Sequence, residues 1–360
     1  MRVNGKHYRT LWLAEDGRSI EIIDQTRLPA MLDVVRCSSS TDVARAICTM
    51  QVRGAPLIGV AAAYGICLAL GHDPSDRALD EAHQFLLATR PTAINLRWAL
   101  DRMRVALRPV PPGGRAAAGY RLAARMADED VAVCEQIGIH GEQTLRAIQA
   151  GTGRREPLQV LTHCNAGWLA AVDWGTALAP VYRAHDTGLP IHVWVDETRP
   201  RNQGYLTAWE LAQHGVPHTV IVDNAGGLLM RQGKVDVCLV GTDRTTRGGD
   251  VVNKIGTYLK ALAAQDTGTP FYAAVPCSSI DWAVSDGADI AIEERDGAEV
   301  HSFPAMRAYN PAFDVTPARL MTGLITERGV CAASEEGLLS LFPERRPGES
   351  DDPIAPAVDR

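Results

Sequence analysis

The hydrophobic pattern changes character near Gly151-Thr152-Gly153. Before that point apolar residues mostly recur at helical spacing; after it, short β-branched runs alternate with helical stretches. Near the N-terminus, Thr10-Leu11-Trp12-Leu13 and Ile20-Glu21-Ile22-Ile23 flank the turn-forming Asp16-Gly17, which predicts a small hairpin within residues 8–29. Ser40-Thr41-Asp42 has the composition of a helix start before Val43–Ile47. Further helices are expected over Leu57–Leu70, Asp76–Leu87, Ala93–Leu107 and Arg115–Ile148, with Pro109–Gly114 as a break.

In the second part the expected strands are Gln159–Thr162, Ile191–Asp196, His218–Val222, Val235–Val240, Pro270–Ala274 and Ala288–Ile292. Helical stretches are expected between them at Gly167–Ala184, Tyr205–His214, Ala225–Arg231 and Val251–Ala264. Strands separated by helices predict βαβ units and a parallel sheet with right-handed crossovers. The expected fold class is therefore α/β: a Rossmann-like, parallel-sheet C-terminal domain preceded by a smaller, mostly helical domain carrying a small β element. The boundaries expected are 1–128 for the first domain and 129–344 for the second. Residues 345–360, rich in Pro, Asp and Arg, are expected to be a disordered tail.

Composition narrows the function classes. The chain has 360 residues, 46% of them apolar and 22% charged, enough for a sizeable core. A net charge of -7 argues against a nucleic-acid partner, which needs a basic face. No apolar run approaches the length of a membrane span, and the N-terminus has no signal-peptide core. The eight cysteines have irregular spacing and no C-x-x-C pair, so reduced thiols in a cytoplasmic protein are expected. His214 and His218 are separated by Gly215 and Pro217, which does not suit one metal-binding helical face, and no metal is expected.

No P-loop, no nucleophile elbow and no G-x-G-x-x-G after a strand is present, so no nucleotide or flavin cofactor is expected. Instead, polar groups gather at four strand ends. Cys164 and Asn165 follow the first strand, in a segment that reads as strand, tight turn, then helix. Asp196–Gly204, Asp223–Gly227 and Gly241–Arg244 follow three others, the last continuing to Asp250, Asn253 and Lys254. In a parallel sheet these ends share one edge, where ligands bind. Arg53-Gly54-Ala55-Pro56 opens a helix in a form that suits an anion, with Arg90, Gln203, Asn253 and Lys254 as further donors. Each feature has a plain structural reading as well. Cys164 also fits a small buried apolar residue, Asp243 a cap, and Arg53–Pro56 a packed helix start. His163, adjacent to Cys164, would face the other side of an extended strand and so is not the expected base for the thiol.

Assembled, these segments resemble the methylthioribose-1-phosphate isomerases, relatives of the regulatory alpha, beta and delta subunits of the translation-initiation nucleotide exchange factor. The resemblance runs from about Leu11 to Leu341. It is carried by Arg53–Gly59, Arg90–Leu96, Thr162–Gly167, Asp196–Pro200, Asn202-Gln203-Gly204, Asp250 with Asn253–Tyr258, and Ile292–Arg295. It implies a catalytic Cys164 and a catalytic Asp243. It implies a sugar phosphate held by Arg53, Gly54, Ala55, Arg90, Gln203, Asn253 and Lys254, with no metal or organic cofactor, in a homodimer. Its reaction would be aldose–ketose isomerisation of 5-methylthioribose 1-phosphate. Related substrates, 5-deoxyribose 1-phosphate or ribose 1,5-bisphosphate, and a non-catalytic binding subunit are the alternatives. Departures at 223–227, 241–250 and 276–279 leave the acid–base pair and phosphate set intact and bear on the sugar's 5-substituent.

Overall fold

The computed structural model describes residues 1–153, 157–303 and 305–346. A two-stranded ribbon, β1 (Arg2–Val3) and β2 (Lys6–His7), precedes an antiparallel sheet of β3 (Leu11–Leu13), β4 (Ile20–Ile23) and β5 (Val34–Cys37). The expected hairpin is β3–β4; β5 is an additional strand whose Val34–Cys37 pairs with Ile23–Ile20.

Helices α1 (Ser40–Cys48), α2 (Ala55–Leu70), α3 (Asp76–Leu87) and α4 (Ile94–Leu107) follow, close to the expected limits. Local chemistry sets their starts. Ser39 and Asp42 form a capping box on α1, and the Ser75 hydroxyl caps α3. Helix α2 is apolar all round and most of it is buried, which makes it the axis of the first core, between α1, α3, α4 and the start of α5. Helix α5 (Pro112–Thr152) runs unbroken past residue 128. Its first part, through Ala127, joins the α2 core, whereas Ile137 and Leu145 pack with the large sheet.

That sheet contains β6 (Leu158–Thr162), β7 (Ile191–Asp196), β8 (His218–Ile221), β9 (Val237–Val240), β12 (Phe271–Ala274), β15 (Gly323–Thr326) and β16 (Gly329–Cys331). The spatial order is β16-β15-β12-β9-β6-β7-β8, parallel throughout except for the edge pair β15–β16. Helices α6 (Ala179–Asp186), α7 (Gly204–His214), α8 (Ala225–Arg231) and α9 (Thr257–Thr267) connect strands, and α10 (Glu335–Leu341) follows β16. The α/β class with a parallel-sheet C-terminal part is what the structure has.

Three segments differ from expectation. Ala288–Ile292 is not a strand: Asp286 caps a 3-10 turn at Gly287–Asp289 instead. Val251–Ala264 is not one helix. Val251–Lys254 is strand β11, which joins β10 (Arg244–Thr246), β13 (Ile280–Asp281) and β14 (Phe313–Thr316) in a second sheet, and the left-handed Gly256 turns the chain into α9. Gly167–Ala184 is helical only from Ala179, apart from a 3-10 turn at Trp168–Ala170. The run is apolar because it is buried loop, not because it is a helix face. The expected tail from residue 345 begins with the end of a 3-10 turn, Pro343–Arg345, whose Glu344 pairs with Arg328; residues 347–360 lie outside the described residues. Among the described residues no helix is long and apolar enough to cross a membrane.

Candidate active site

The parallel order brings the ends of β6, β7, β8 and β9 to one edge of the sheet. Cys164 follows β6 with φ at 69°, a left-handed conformation that non-glycine residues seldom adopt. Two hydroxyls hold it there. The Thr198 Oγ1, after β7, accepts from Cys164 N at 2.9 Å, and Thr207 on α7 donates to Cys164 O at 2.9 Å. Thr198, also left-handed, is fixed in turn by the Asp223 carboxylate after β8, which accepts from Thr198 N at 2.7 Å and Arg199 N at 2.8 Å. The third polar strand end therefore supports the first two.

The adjacent His163 faces away from this chemistry. Its Nδ1 lies 2.8 Å from Asp196 Oδ2 and its Nε2 2.8 Å from Ile255 O. Burial and the nearby Lys260 charge push its pKa below the usual histidine range, against the two acceptor oxygens on its ring nitrogens. His163, Asp196 and Asp223 cluster as metal ligands would. Lys260 Nζ lies 2.8 Å from Asp196 Oδ2, and Asp223 is spent on backbone N–H groups. The cluster is thus an internal ion-pair network filled by an ammonium.

Asp243 comes from the opposite side. β9 ends at Val240, and the β10–β11 hairpin closes behind it, with Asp243 N donating to Val252 O at 2.9 Å. The same hairpin delivers Asn253 and Lys254. The Asn253 amide donates to Thr257 Oγ1 at 3.1 Å, and the Lys254 ammonium stands 4.5 Å above the Phe313 ring. From the helical part, Gly54 caps α2 at φ 102° and lies so close to Ala170 that an added Cβ would fall 2.5 Å from its Cα. Arg53 donates through Nη2 to Asn165 O at 2.7 Å and through Nη1 to Asn165 Oδ1. Arg90 pairs with Glu293 at 2.7 Å, which Arg295 also holds at 3.0 Å.

All nine residues singled out from the sequence line one cleft: Arg53, Gly54, Ala55, Arg90, Cys164, Gln203, Asp243, Asn253 and Lys254. Met50, Asn165, Thr176, Arg295 and Phe313 line it too. Burial raises the pKa of both the Cys164 thiol and the Asp243 carboxyl, against the pull of Lys254 and Arg53. Burial lowers that of Lys254. The thiol therefore rests protonated, with Arg53 and Lys254 as the charges that favour its thiolate. Among the described residues, neither Arg53 nor Lys254 forms an ion pair, so both charges face the cleft uncancelled. Among the described residues the buried Gln203 Oε1 has no partner; turned over, the same amide would offer N–H to an anion.

Glu210 was not foreseen. It sits in α7 between Trp209 and Leu211, and a carboxylate inside an apolar helical run was the one signal available for it. Glu293 and Arg295 appeared only as part of a motif; their pairing with Arg90 needs the folded chain.

A thiol, a carboxyl and unpaired cations in one cleft at a sheet's carboxyl edge define a site for acid–base chemistry on a small anion. The chain matches the model of the Initiation factor 2 subunit family over residues 51–333. It is 60% identical to methylthioribose-1-phosphate isomerase of Methylorubrum populi, over 96% of this chain and 99% of that protein. Identity to the Escherichia coli protein of the same name is 57%, over 95% and 96%. Among solved structures, 5-methylthioribose 1-phosphate isomerase from Pyrococcus horikoshii matches with a TM-score of 0.83 at 39% identity, covering 94% of this chain and 96% of that one. The delta subunit of translation initiation factor eIF-2B from A. fulgidus matches at 0.79 and 38%, covering 94% and 100%. The chain belongs to the initiation factor 2 subunit family and, within it, to the methylthioribose-1-phosphate isomerases.

Proposed function

We infer that the protein is an aldose–ketose isomerase converting 5-methylthioribose 1-phosphate into 5-methylthioribulose 1-phosphate in methionine salvage. Family membership supports the reaction, and one observation carries the assignment of residues: thiol, carboxyl and unpaired cations line the same cleft. The substrate's aldehyde carbon is blocked as a phosphate ester, so the ring itself has to be opened. In this reading Asp243 gives a proton to the ring oxygen as the bond from C1 breaks. Cys164, as the thiolate that Arg53 and Lys254 favour, takes the proton from C2 and returns it to C1 through an enediol-like intermediate, and the C2 hydroxyl gives its proton back to Asp243 as the ketone forms. The helix start at Gly54-Ala55, with Arg53, Arg90, Gln203, Asn253 and Lys254, holds the phosphate so that C1 and C2 stay between the two acids. A raised carboxyl pKa favours the protonated Asp243 that this first step needs.

Ribose 1,5-bisphosphate would need a second cationic cluster. Three arginines were candidates for one, but none lines the cleft, and each faces a carboxylate: Arg201 with Glu299 at 2.8 Å, Arg244 with Asp281 at 3.2 Å and Arg247 with Glu335 at 3.3 Å. Beside Asp243 an adjoining pocket is lined by Ile58, Val252, Ile290, Ile292 and Phe313 together with Arg90, Thr92 and Arg244, and its apolar side suits an alkylthio group. Assay of purified protein against the methylthio, 5-deoxy and 5-phospho sugars tests the reading; turnover of none of them would leave the binding-subunit alternative. Substrate labelled with deuterium at C2 tests the route. Label recovered quantitatively at C1 in unlabelled water would replace proton transfer by a hydride shift.

We extend the reading to a cytoplasmic homodimer. Free cysteines support a reducing compartment, and Val220 on the open edge strand β8, Val222 just after it, Leu228 on α8 and Leu259 on α9 are exposed apolar residues that a second copy would cover. Sedimentation of wild type and Val222→Asp checks this: a wild-type monomer refutes it.

A further inference from the structure

We propose that Glu210 is the positioning residue of the anion cradle, aiming Arg53 through Asn165 and seating Gly54 through the turn at Ala170. The inference rests on the cradle binding the sugar phosphate. Glu210 is 1% exposed and stands behind the cleft, not in it. Its Oε1 accepts from Asn165 Nδ2 at 2.9 Å and Leu169 N at 3.0 Å; its Oε2 accepts from Trp168 N at 2.9 Å and the Tyr182 hydroxyl at 2.8 Å. Three of the four partners are N–H groups that can only donate, which favours the ionised carboxylate against the burial that raises its pKa.

Two routes lead from it to the cradle. Along the first, Glu210 orients the Asn165 amide so that its oxygen faces Arg53, whose Nη1 and Nη2 both donate to Asn165. Among the described residues no carboxylate pairs with Arg53 directly. Its countercharge is thus one residue removed, which leaves the guanidinium held in place but uncancelled. Along the second, Glu210 pins Trp168 N and Leu169 N at the head of the turn that ends at Ala170. Ala170 is the surface against which Gly54 packs at a distance no side chain fits. The approach is tight on the carboxylate side as well: a Cβ on Gly167 would fall 1.7 Å from Glu210 Oε2. Both routes end at the residues that open α2, so one buried charge sets both the cation and the backbone N–H groups facing the anion.

The test uses Glu210→Gln, with Tyr182→Phe as the control that removes a Glu210 contact on the side away from the cradle. Binding of inorganic phosphate is read by calorimetry, and KM and kcat by turnover of 5-methylthioribose 1-phosphate. Glu210→Gln is expected to weaken phosphate binding and raise KM roughly ten- to a hundredfold. kcat should change much less. Tyr182→Phe lowers the melting temperature with phosphate affinity unchanged. A Glu210→Gln protein that melts earlier but binds phosphate like wild type would reduce Glu210 to a structural residue and overturn the proposal. If Glu210→Gln does not fold, Asn165→Ala interrupts the first route at its middle and is read the same way. Wild type that binds phosphate but turns over no sugar phosphate would refute the isomerase reading while leaving this one standing.

Discussion

Gly54→Ala is the sharpest test of how the anion cradle is built. Gly54 has φ 102° and ψ 137°, a conformation open in practice to glycine alone. Holding alanine there costs roughly 1–3 kcal/mol. The new Cβ would also lie 2.5 Å from Ala170 Cα and O and 2.6 Å from its Cβ, all on a turn that Glu210 pins. Ordinary carbon contacts lie near 3.5–4.0 Å, so the turn or the start of α2 has to retreat by about 1 Å. Backbone atoms cannot swing aside as a long side chain would. Together the two effects should lower stability by roughly 2–4 kcal/mol, several degrees in melting temperature. A shift of that size at a positioned phosphate is worth up to about a hundredfold in kcat/KM. Thermal melts followed by circular dichroism, and kinetics on the sugar phosphate, read the two effects separately. Gly17→Ala supplies the comparison: φ is 66° there and no atom lies within 4 Å of the added Cβ, so stability falls modestly and KM stays put. A Gly54→Ala protein with wild-type melting and wild-type kcat/KM would refute both the packing argument and the cradle's role in binding.

Asp243→Asn should abolish turnover while phosphate binding persists; retention of most activity would remove Asp243 from the mechanism. Cys164→Ala and Cys164→Gly should both be folded and inactive, with the glycine variant more stable by about 1 kcal/mol because the site is left-handed; equal or reversed stabilities in chemical denaturation would contradict the backbone geometry. Burial raises the Asp130 pKa to about 7. The folded protein therefore keeps a proton there that the unfolded chain releases near pH 4, and stability contributed by that proton is lost as pH rises toward 7. Asp130→Asn, which can still accept from Val172 N, should gain on wild type in melting temperature from pH 4 to 7 and hold that gain above; a gap that is constant with pH would refute it.

Much of the site was legible because its members sit where local rules already point. Gly-Ala-Pro after Arg53 marks a helix start, and polar residues after apolar strands mark the sheet's carboxyl edge. The residues at 251–264 and 167–184 misled for a common reason. Val251–Lys254 is a short buried strand that ends in polar Asn253 and Lys254, and Trp168–Ala177 is mostly apolar buried loop, so neither carries a periodicity that betrays the element. The second sheet, formed by β10, β11, β13 and β14, pairs segments up to 65 residues apart, Val251 of Asp243's hairpin with Thr316. No local pattern encodes such a pairing.

By itself the sequence determined the α/β class, the helix starts set by Ser39, Ser75 and Pro56, and the kinds of group available for chemistry. Those depend on propensity, capping and the alternation of β-branched and helical runs, which act over a few residues. Only the tertiary structure decided that Cys164 is left-handed and held by Thr198 and Thr207, that His163 is locked away on Asp196, and that Arg201, Arg244 and Arg247 are already paired. It also decided that Glu210 lies behind the anion cradle. Burial, pKa and the partner of a charge depend on what the rest of the chain brings near it, and the strand order fixes that, not the neighbours in sequence.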